Sequence, residues 1–395
     1  MASKSPAFKV PRGDVTVRVS LINPVNFGPA ILKRFMAPDV PLLERFKDSP
    51  SLTFLIEHPS GRKLVWDLGI RKDYQNYSKS ISDYLPTTNY NIQVDKNVVD
   101  ILEENGIPGD DIEAVIWSHW HWDHIGDPSS FPPKTDLIVG QGFSEAMLPG
   151  YPTNPASPIR ESDYVGRKLR EIKFEGPNVI QIGQFPAYDY FGDGSFYLLD
   201  SPGHAIGHLC GLARTTPETF ILTGGDVCHY AGIFRPSQHL PMPASIEPHP
   251  FQSHSHGAFC PGATWEKLQK DRGRTPIDTL FDMTFGHDVP LATKTMRQLQ
   301  ELDCDENVFV IIAHDSTANW QVNPIAGSGT PGWVMCLRTY VGEAYLQGQI
   351  GVKGVEIELG RLEPSDATQL TRHGIVGHTS IQQGAQQAQK ALQSR

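Results

Sequence analysis

The chain has 395 residues, 39% hydrophobic and 20% charged, the proportions of an ordinary globular protein with enough apolar mass for a large core. A formal net charge of −10 leaves no broad basic surface to displace counterions from a nucleic-acid backbone, and no apolar run is long enough to span a membrane. Cys210, Cys228, Cys260, Cys304 and Cys336 are scattered without a CxxC pair, and the N-terminus carries no apolar secretion signal. A disulfide framework is therefore not expected, and a soluble, cytoplasmic protein is.

In chain order, β-branched or apolar runs bounded by Gly, Pro, Asp or charged residues predict strands at 15–22, 51–58, 63–69, 113–119, 135–140, 178–183, 195–204, 219–226 and 307–315. The clearest helix is 94–106, where Val98, Ile101 and Leu102 share a face and Gly106 stops it. Others are predicted within 142–150, 264–273 and 292–303. Strands interleaved with helices predict an α/β fold of sheets with helices packed outside. A stretch rich in Pro, His, Ser and Phe, 231–262, reads as a long functional loop, and 361–395 as a polar, Gln/Ala-rich C-terminal tail. Residues 1–360 are expected to form a single domain.

The chemistry concentrates in "SHWHWDHIGD", residues 118–127, directly after the run "EAVIW". In an extended segment residues two apart face the same way, so His119 and His121 can grip one ion together, and a turn after them aims Asp123 and His124 at a second. Trp120 is then expected to point backwards into the core, with Trp122 either packing or lining the mouth of the site. Three later runs also end in candidate ligands: His204 in "DSPGHAIGH", Asp226 in "LTGGD", and His314 with Asp315 in "IIAHD". Strand ends converge at one edge of a sheet, and five histidines with two carboxylates suffice for a dinuclear centre of zinc or a similar divalent metal.

In this order, His119, His121, Asp123, His124, His204, Asp226 and His314, preceded by Asp67 in "WDLG", resemble the metallo-β-lactamase superfamily over roughly residues 50–320. The resemblance implies a four-layered αβ/βα sandwich with two divalent ions, zinc first, at one edge between the sheets. It assigns His119, His121 and His204 to one ion and Asp123, His124 and His314 to the other. Asp226 would bridge them, and Asp67 would orient a ligand from behind. Asp226 stands where zinc β-lactamases usually carry Cys, and "SHxHxDHxG" with His314-Asp315 is most similar to the N-acyl-homoserine lactonase branch. That branch often has Tyr three residues after the bridging Asp. Here His229 occupies the offset and Tyr230 follows, while Asp127 replaces a common glycine.

The implied reaction opens a lactone or lactam ring of a small, partly apolar substrate. A hydroxide held between the metals attacks, Asp123 or Asp226 moves the proton, and Tyr230 or His229 steadies the oxyanion. In the 231–262 stretch, Arg235 is a candidate anion partner and Phe234, Leu240, Met242 and Phe251 are candidate wall residues, with His249, His254 and His256 as further histidines. A thioesterase, a mononuclear iron dioxygenase of the persulfide type and a metal-stabilised binding module remain as alternatives. The expected partner is a small molecule, with no nucleic acid or membrane.

Overall fold

The structure, a computed structural model, describes residues 9–39, 44–46, 48–241, 262–315, 333–339 and 355–358. Met242, His249, Phe251, His254, His256 and the tail 361–395 lie outside the described residues.

Two mixed sheets form the frame. The first holds β1 (Arg18–Asn23), β2 (Thr53–Glu57), β3 (Lys63–Trp66), β4 (Ile112–Ile116), β5 (Asp136–Val139) and β6 (Leu169–Glu171). With β13 (Trp333–Thr339) and β14 (Val355–Glu358) its order is β6-β5-β4-β3-β2-β1-β13-β14. The second holds β7 (Val179–Ile182), β8 (Phe185–Asp189), β9 (Phe196–Asp200), β10 (Leu209–Arg214), β11 (Phe220–Thr223) and β12 (Val308–Ile311), in sequential order. Parallel pairing joins β3 to β4, β4 to β5, β5 to β6 and β11 to β12.

Period-two alternation explains the layering. Phe54 and Ile56 of β2, Ala114 and Ile116 of β4, Phe196 and Leu198 of β9 and Ile221 of β11 meet in one buried cluster between the sheets. Their alternates on the first sheet, Leu55, Val65, Val115 and Leu137, pack outward against helices. These are α1 (Lys79–Thr88), α2 (Val98–Glu104), α3 (Trp122–Ile125) and α4 (Phe143–Met147), with Tyr164 of α5 (Glu161–Tyr164) at the margin. Tyr197, Leu199, Leu212 and Leu222 of the second sheet pack outward on the other side. After α6 (Gly262–Asp271), helix α7 (Val289–Asp303) covers that face with Ala292, Met296, Leu299 and Leu302. The result is the helix, sheet, sheet, helix order of the four-layered sandwich. Among the described residues no helix is long and apolar enough to cross a membrane.

Local chemistry moves the helix boundaries. Helix α2 starts at Val98 because Asn97 and Asp100 form a capping box, and α7 starts at Val289 because the Asp288 side chain accepts the Leu291 N–H at 3.0 Å. Strands β8 and β10 lack an alternating signal: one contains Pro186, the other Gly211. A Cβ on Gly211 would lie 2.5 Å from Thr223 Oγ1 and 3.0 Å from the Trp66 ring, so the close approach excludes any larger residue.

Candidate metal centre and its cavity

The first sheet stops at Ile116, and the chain leaves it to run across the edge as residues 117–121 before turning into α3. Asp67, just past β3, holds this segment. Its backbone is left-handed, with φ of 57°, a conformation costly for a residue with a side chain. The fully buried carboxylate accepts the Ser118 N–H at 2.6 Å, the Ser118 hydroxyl at 2.7 Å and His124 Nδ1 at 2.9 Å. Backbone bonds from Leu68 N to the His124 carbonyl (2.8 Å) and from Gly126 N to the Gly69 carbonyl (3.0 Å) fasten the two chains side by side. The Ser51 hydroxyl donates to the Asp123 carbonyl, and Tyr77 donates to the Trp122 carbonyl at 2.6 Å.

Asp127 belongs to this brace. It accepts the Ser129 N–H at 3.2 Å and faces buried Arg71 at 3.4 Å, so the departure from glycine has a local structural use.

Two groups of nitrogen and oxygen atoms converge at the sheet edge. His119 Nε2, His121 Nδ1 and His204 Nε2 lie 2.9 to 3.2 Å from one another. Asp123, His124 and His314 form the second group, with His314 Nε2 3.5 Å from Asp123 Oδ2. Asp226 stands between them. Its Oδ2 faces His204 at 3.4 Å and His119 at 3.8 Å, whereas its Oδ1 faces His314 at 3.1 Å and His124 at 3.3 Å.

His229, expected from the sequence as an oxyanion partner, also reaches Asp226 Oδ2, at 3.2 Å, and shares a possible ligand group with Asp226 and His314.

A residue missed in the sequence, His208, aims Asp226. Its Nδ1 donates to the Ser201 carbonyl at 3.0 Å, leaving Nε2 to accept the Asp226 backbone N–H at 3.0 Å. Gly225 makes room: its φ is 50°, and a Cβ there would sit 2.9 Å from that nitrogen. The available signal was the second histidine of "GHAIGH", four residues after His204.

The electrostatics fit cations at this site. Burial, reinforced by neighbouring histidines, pushes His119 well below the usual imidazole pKa. Burial also takes His121 down to about 4 despite Asp123 and Asp226, and holds His204 well below the usual value. These rings are neutral at pH 7, as metal ligands must be. The Pro50 carbonyl takes the Nδ1 proton of His314 at 2.8 Å and Asp67 takes that of His124, so both Nε2 atoms point inward at carboxylate oxygens. Burial opposes a proton on His124, yet Asp226 and Asp67 outweigh it and hold the pKa well above the usual value. The core of the cluster demands positive charge. Buried His124 Nε2 and Asp226 Oδ1 have no hydrogen-bond partner among the described residues. The first group's nitrogen separations approach the roughly 3.3 Å that tetrahedral zinc bonds of about 2.0–2.1 Å require.

Above this floor opens a cavity of about 200 Å³ walled by rings: Phe27, Phe35, Phe46, Tyr84, Tyr90 and Phe285, with Trp120 and Trp122. The sequence expectation for Trp120 holds in part. Trp120 is partly buried against the core outside the first sheet, but because 117–121 is no longer strand it also lies against His121 at 4.7 Å and lines the cavity. Trp122 does both jobs: it is 9% exposed, packs edge-on to Phe27 at 5.2 Å and lines the cavity.

Phe234 and Arg235 are elsewhere. Phe234 is buried in the core outside the second sheet, and Arg235 forms a two-pronged ion pair with Asp303, so neither lines the cavity. Tyr230 is 41% exposed, between Phe46 and Phe281, and does not line it either. Asp315 follows His314 half-buried, its N–H donating to the Ile312 carbonyl at 3.2 Å. The wall residues from 27 to 46 escaped sequence reading because they sit in elements and turns too short to show periodicity.

Comparison with known proteins agrees with this geometry. Residues 47–140 match the metallo-beta-lactamase superfamily. The chain is 40% identical over 324 residues to gamma-lactamase FDB1 of Fusarium pseudograminearum, covering 79% of this chain and 77% of that protein. It is 41% identical over 320 residues to cytochrome P450 monooxygenase mpaDE of Penicillium roqueforti, covering 79% of this chain and only 35% of that longer protein. Among solved structures, an N-acyl homoserine lactone hydrolase with N-hexanoyl-L-homoserine at its catalytic metal centre shares the fold. Its TM-score is 0.51 at 18% identity, over 78% of this chain and 96% of that one. The chain belongs to the metallo-β-lactamase superfamily and is a hydrolase of that fold.

Proposed function

We propose that the chain is a dinuclear metal-dependent hydrolase that opens the lactone or lactam ring of a small, partly apolar substrate. The observation that carries this reading is Asp226, whose two oxygens face two separate ligand groups at the floor of an aromatic cavity. His119, His121 and His204 hold one divalent ion, Asp123, His124 and His314 hold the other, and Asp226 serves both. Zinc suits this set of imidazoles and carboxylates. Bound there, such ions supply Lewis-acid polarisation of a carbonyl and an activated water at neutral pH.

The chain's own residues do the rest. Asp67 and the Pro50 carbonyl fix the rings of His124 and His314 through their far nitrogens. The Asp123 side chain, 13% exposed against 3% for Asp226, is the more open carboxylate and takes up the proton released during attack. His229 lines the cavity, and its buried Nδ1 has no partner among the described residues. It meets the substrate oxygen where the lactonase branch uses tyrosine, and Tyr230 is assigned no catalytic part. The rings exclude water around the reacting bond and accept a flat or apolar body. FDB1, named a gamma-lactamase, supports a cyclic amide as the scissile group.

Metal analysis combined with pH-stat assay of lactones, lactams and thioesters tests the reading. Two ions per chain with ring opening are expected. One iron per chain, retained in His124→Ala, would move the assignment to the dioxygenase, and turnover confined to thioesters would move it to a thioesterase.

A further inference from the structure

Arg34 is the one arginine or lysine lining the cavity among the described residues. It closes a short turn, Leu32–Arg34, whose Leu32 is buried, and its carbonyl accepts the Thr284 hydroxyl at 3.0 Å, so its base is fixed. The guanidinium is fixed as well. Its Nη1 donates to the Tyr84 hydroxyl at 2.6 Å, and its Cζ lies 4.7 Å from the Phe285 ring, 5.6 Å from Phe35 and 5.8 Å from Tyr84. No carboxylate pairs with it among the described residues, whereas Arg62, Arg71, Arg235 and Arg274 all have acidic partners. One of its five N–H groups is used in that bond, which leaves a charged fork at the cavity wall.

Phe285 links it to the floor: the ring lies 4.7 Å from Arg34 Cζ, and its centroid is 5.5 Å from His229, 5.7 Å from His204 and 6.2 Å from His121. A substrate whose carbonyl rests on the floor therefore reaches Arg34 with a group that extends past Phe285. In a chain of net charge −10, a positive fork held among tilted rings is the feature that would draw and orient an anion.

We propose that Arg34 is a specificity-determining residue that receives a carboxylate carried by the substrate, so that the preferred substrates are small lactone or lactam acids rather than neutral rings. This rests on the ring-opening reading above and names the substrate class for that site.

The test uses the zinc-loaded full chain, dihydrocoumarin, the same lactone bearing a carboxylate on its benzo ring, and the two ring-opened acids. Binding of the ring-opened acids is followed through the fluorescence of Trp120 and Trp122, and turnover of the lactones by acid release. The doubly acidic product should bind at least about ten-fold more tightly than the singly acidic one, as expected for a charge-assisted contact. KM for the carboxylated lactone should be lower by a similar factor. R34Q should bring both ratios towards one, and R34K should restore part of the preference.

Equal binding of the two products by the unaltered protein, or a uniform loss in R34Q that leaves the ratios standing, overturns the proposal. Failure to open either lactone counts against the hydrolase reading alone, because the binding ratio still decides the role of Arg34.

Discussion

The floor and the wall of the cavity are built differently. Floor residues stand at strand ends or on α3, and several are held from behind by hydrogen bonds: the His124 ring by Asp67, the His314 ring by the Pro50 carbonyl and the Asp226 backbone by His208. Wall residues come from scattered segments, Tyr84 from α1 and Phe35, Phe46 and Phe285 from connecting stretches, and hold one another mainly by ring contacts, as Phe35 does with Phe46 at 6.0 Å and with Phe285 at 5.1 Å. Hydrogen bonds fix an atom's position and direction, whereas ring packing fixes a surface. The floor is thus suited to one chemistry, while the wall can change shape without disturbing it.

Substitutions can break that contrast. The largest effect is expected from Asp226→Ala, which removes an oxygen from each ligand group. Loss of several kcal/mol of transition-state stabilisation puts kcat/KM down on the order of 10³-fold, with metal content well below two ions per chain by elemental analysis. Asp67→Ala and His208→Phe should come next, each weakening metal retention about 10- to 100-fold in a chelator competition. Retention unchanged in both would mean that the floor does not depend on its supports.

Phe285→Ala should alter the wall alone, raising KM by about ten-fold or less while elemental analysis finds metal content unaltered. Loss of metal in this variant would erase the distinction. An effect on stability rather than on the site lies away from both regions, at Asp163 in α5. Burial raises its pKa to about 7, so the folded chain keeps a proton that the unfolded chain gives up near pH 4. Stability should therefore fall as pH rises from about 4 to about 7, at up to about 1.4 kcal/mol per unit, and level off above. Asp163→Asn should flatten that slope in denaturant titrations at several pH values, with floor and wall unchanged.

The same division governs what could be read from the sequence. Ligand candidates follow apolar runs, and a strand end is both a pattern in the chain and a place in the fold. His119, His121, His204, Asp226 and His314 were therefore legible as convergent, and so were the layers, since period-two alternation assigns Leu55 and Phe54 to opposite faces. Trp120 packs on the core as alternation expects, but its place in the cavity wall was not legible, because alternation ends with the sheet at Ile116. Arg235 suggested an anion site, but only the folded chain shows Asp303 beside it. Arg34, Phe35, Phe46 and Phe285 carry no periodic signal, and their meeting depends on the strands at 36–37 and 282–283 pairing across more than half of the chain.

One attachment runs against the general looseness of the wall. The His287 N–H donates to the His204 carbonyl at 2.8 Å and the Asp288 N–H to the Gly203 carbonyl at 2.9 Å, while the Asp288 side chain caps α7. Phe285, His204 and the start of α7 are therefore one mechanical piece, like a jaw hinged to its own anvil. An insertion or deletion between 284 and 291 would displace a candidate metal ligand, whereas the described residues between 28 and 46 meet the floor through side chains, as Phe35 does with His229 at 4.6 Å. Diversification of substrate range has an inexpensive route along the N-terminal wall and an obstructed one beside α7.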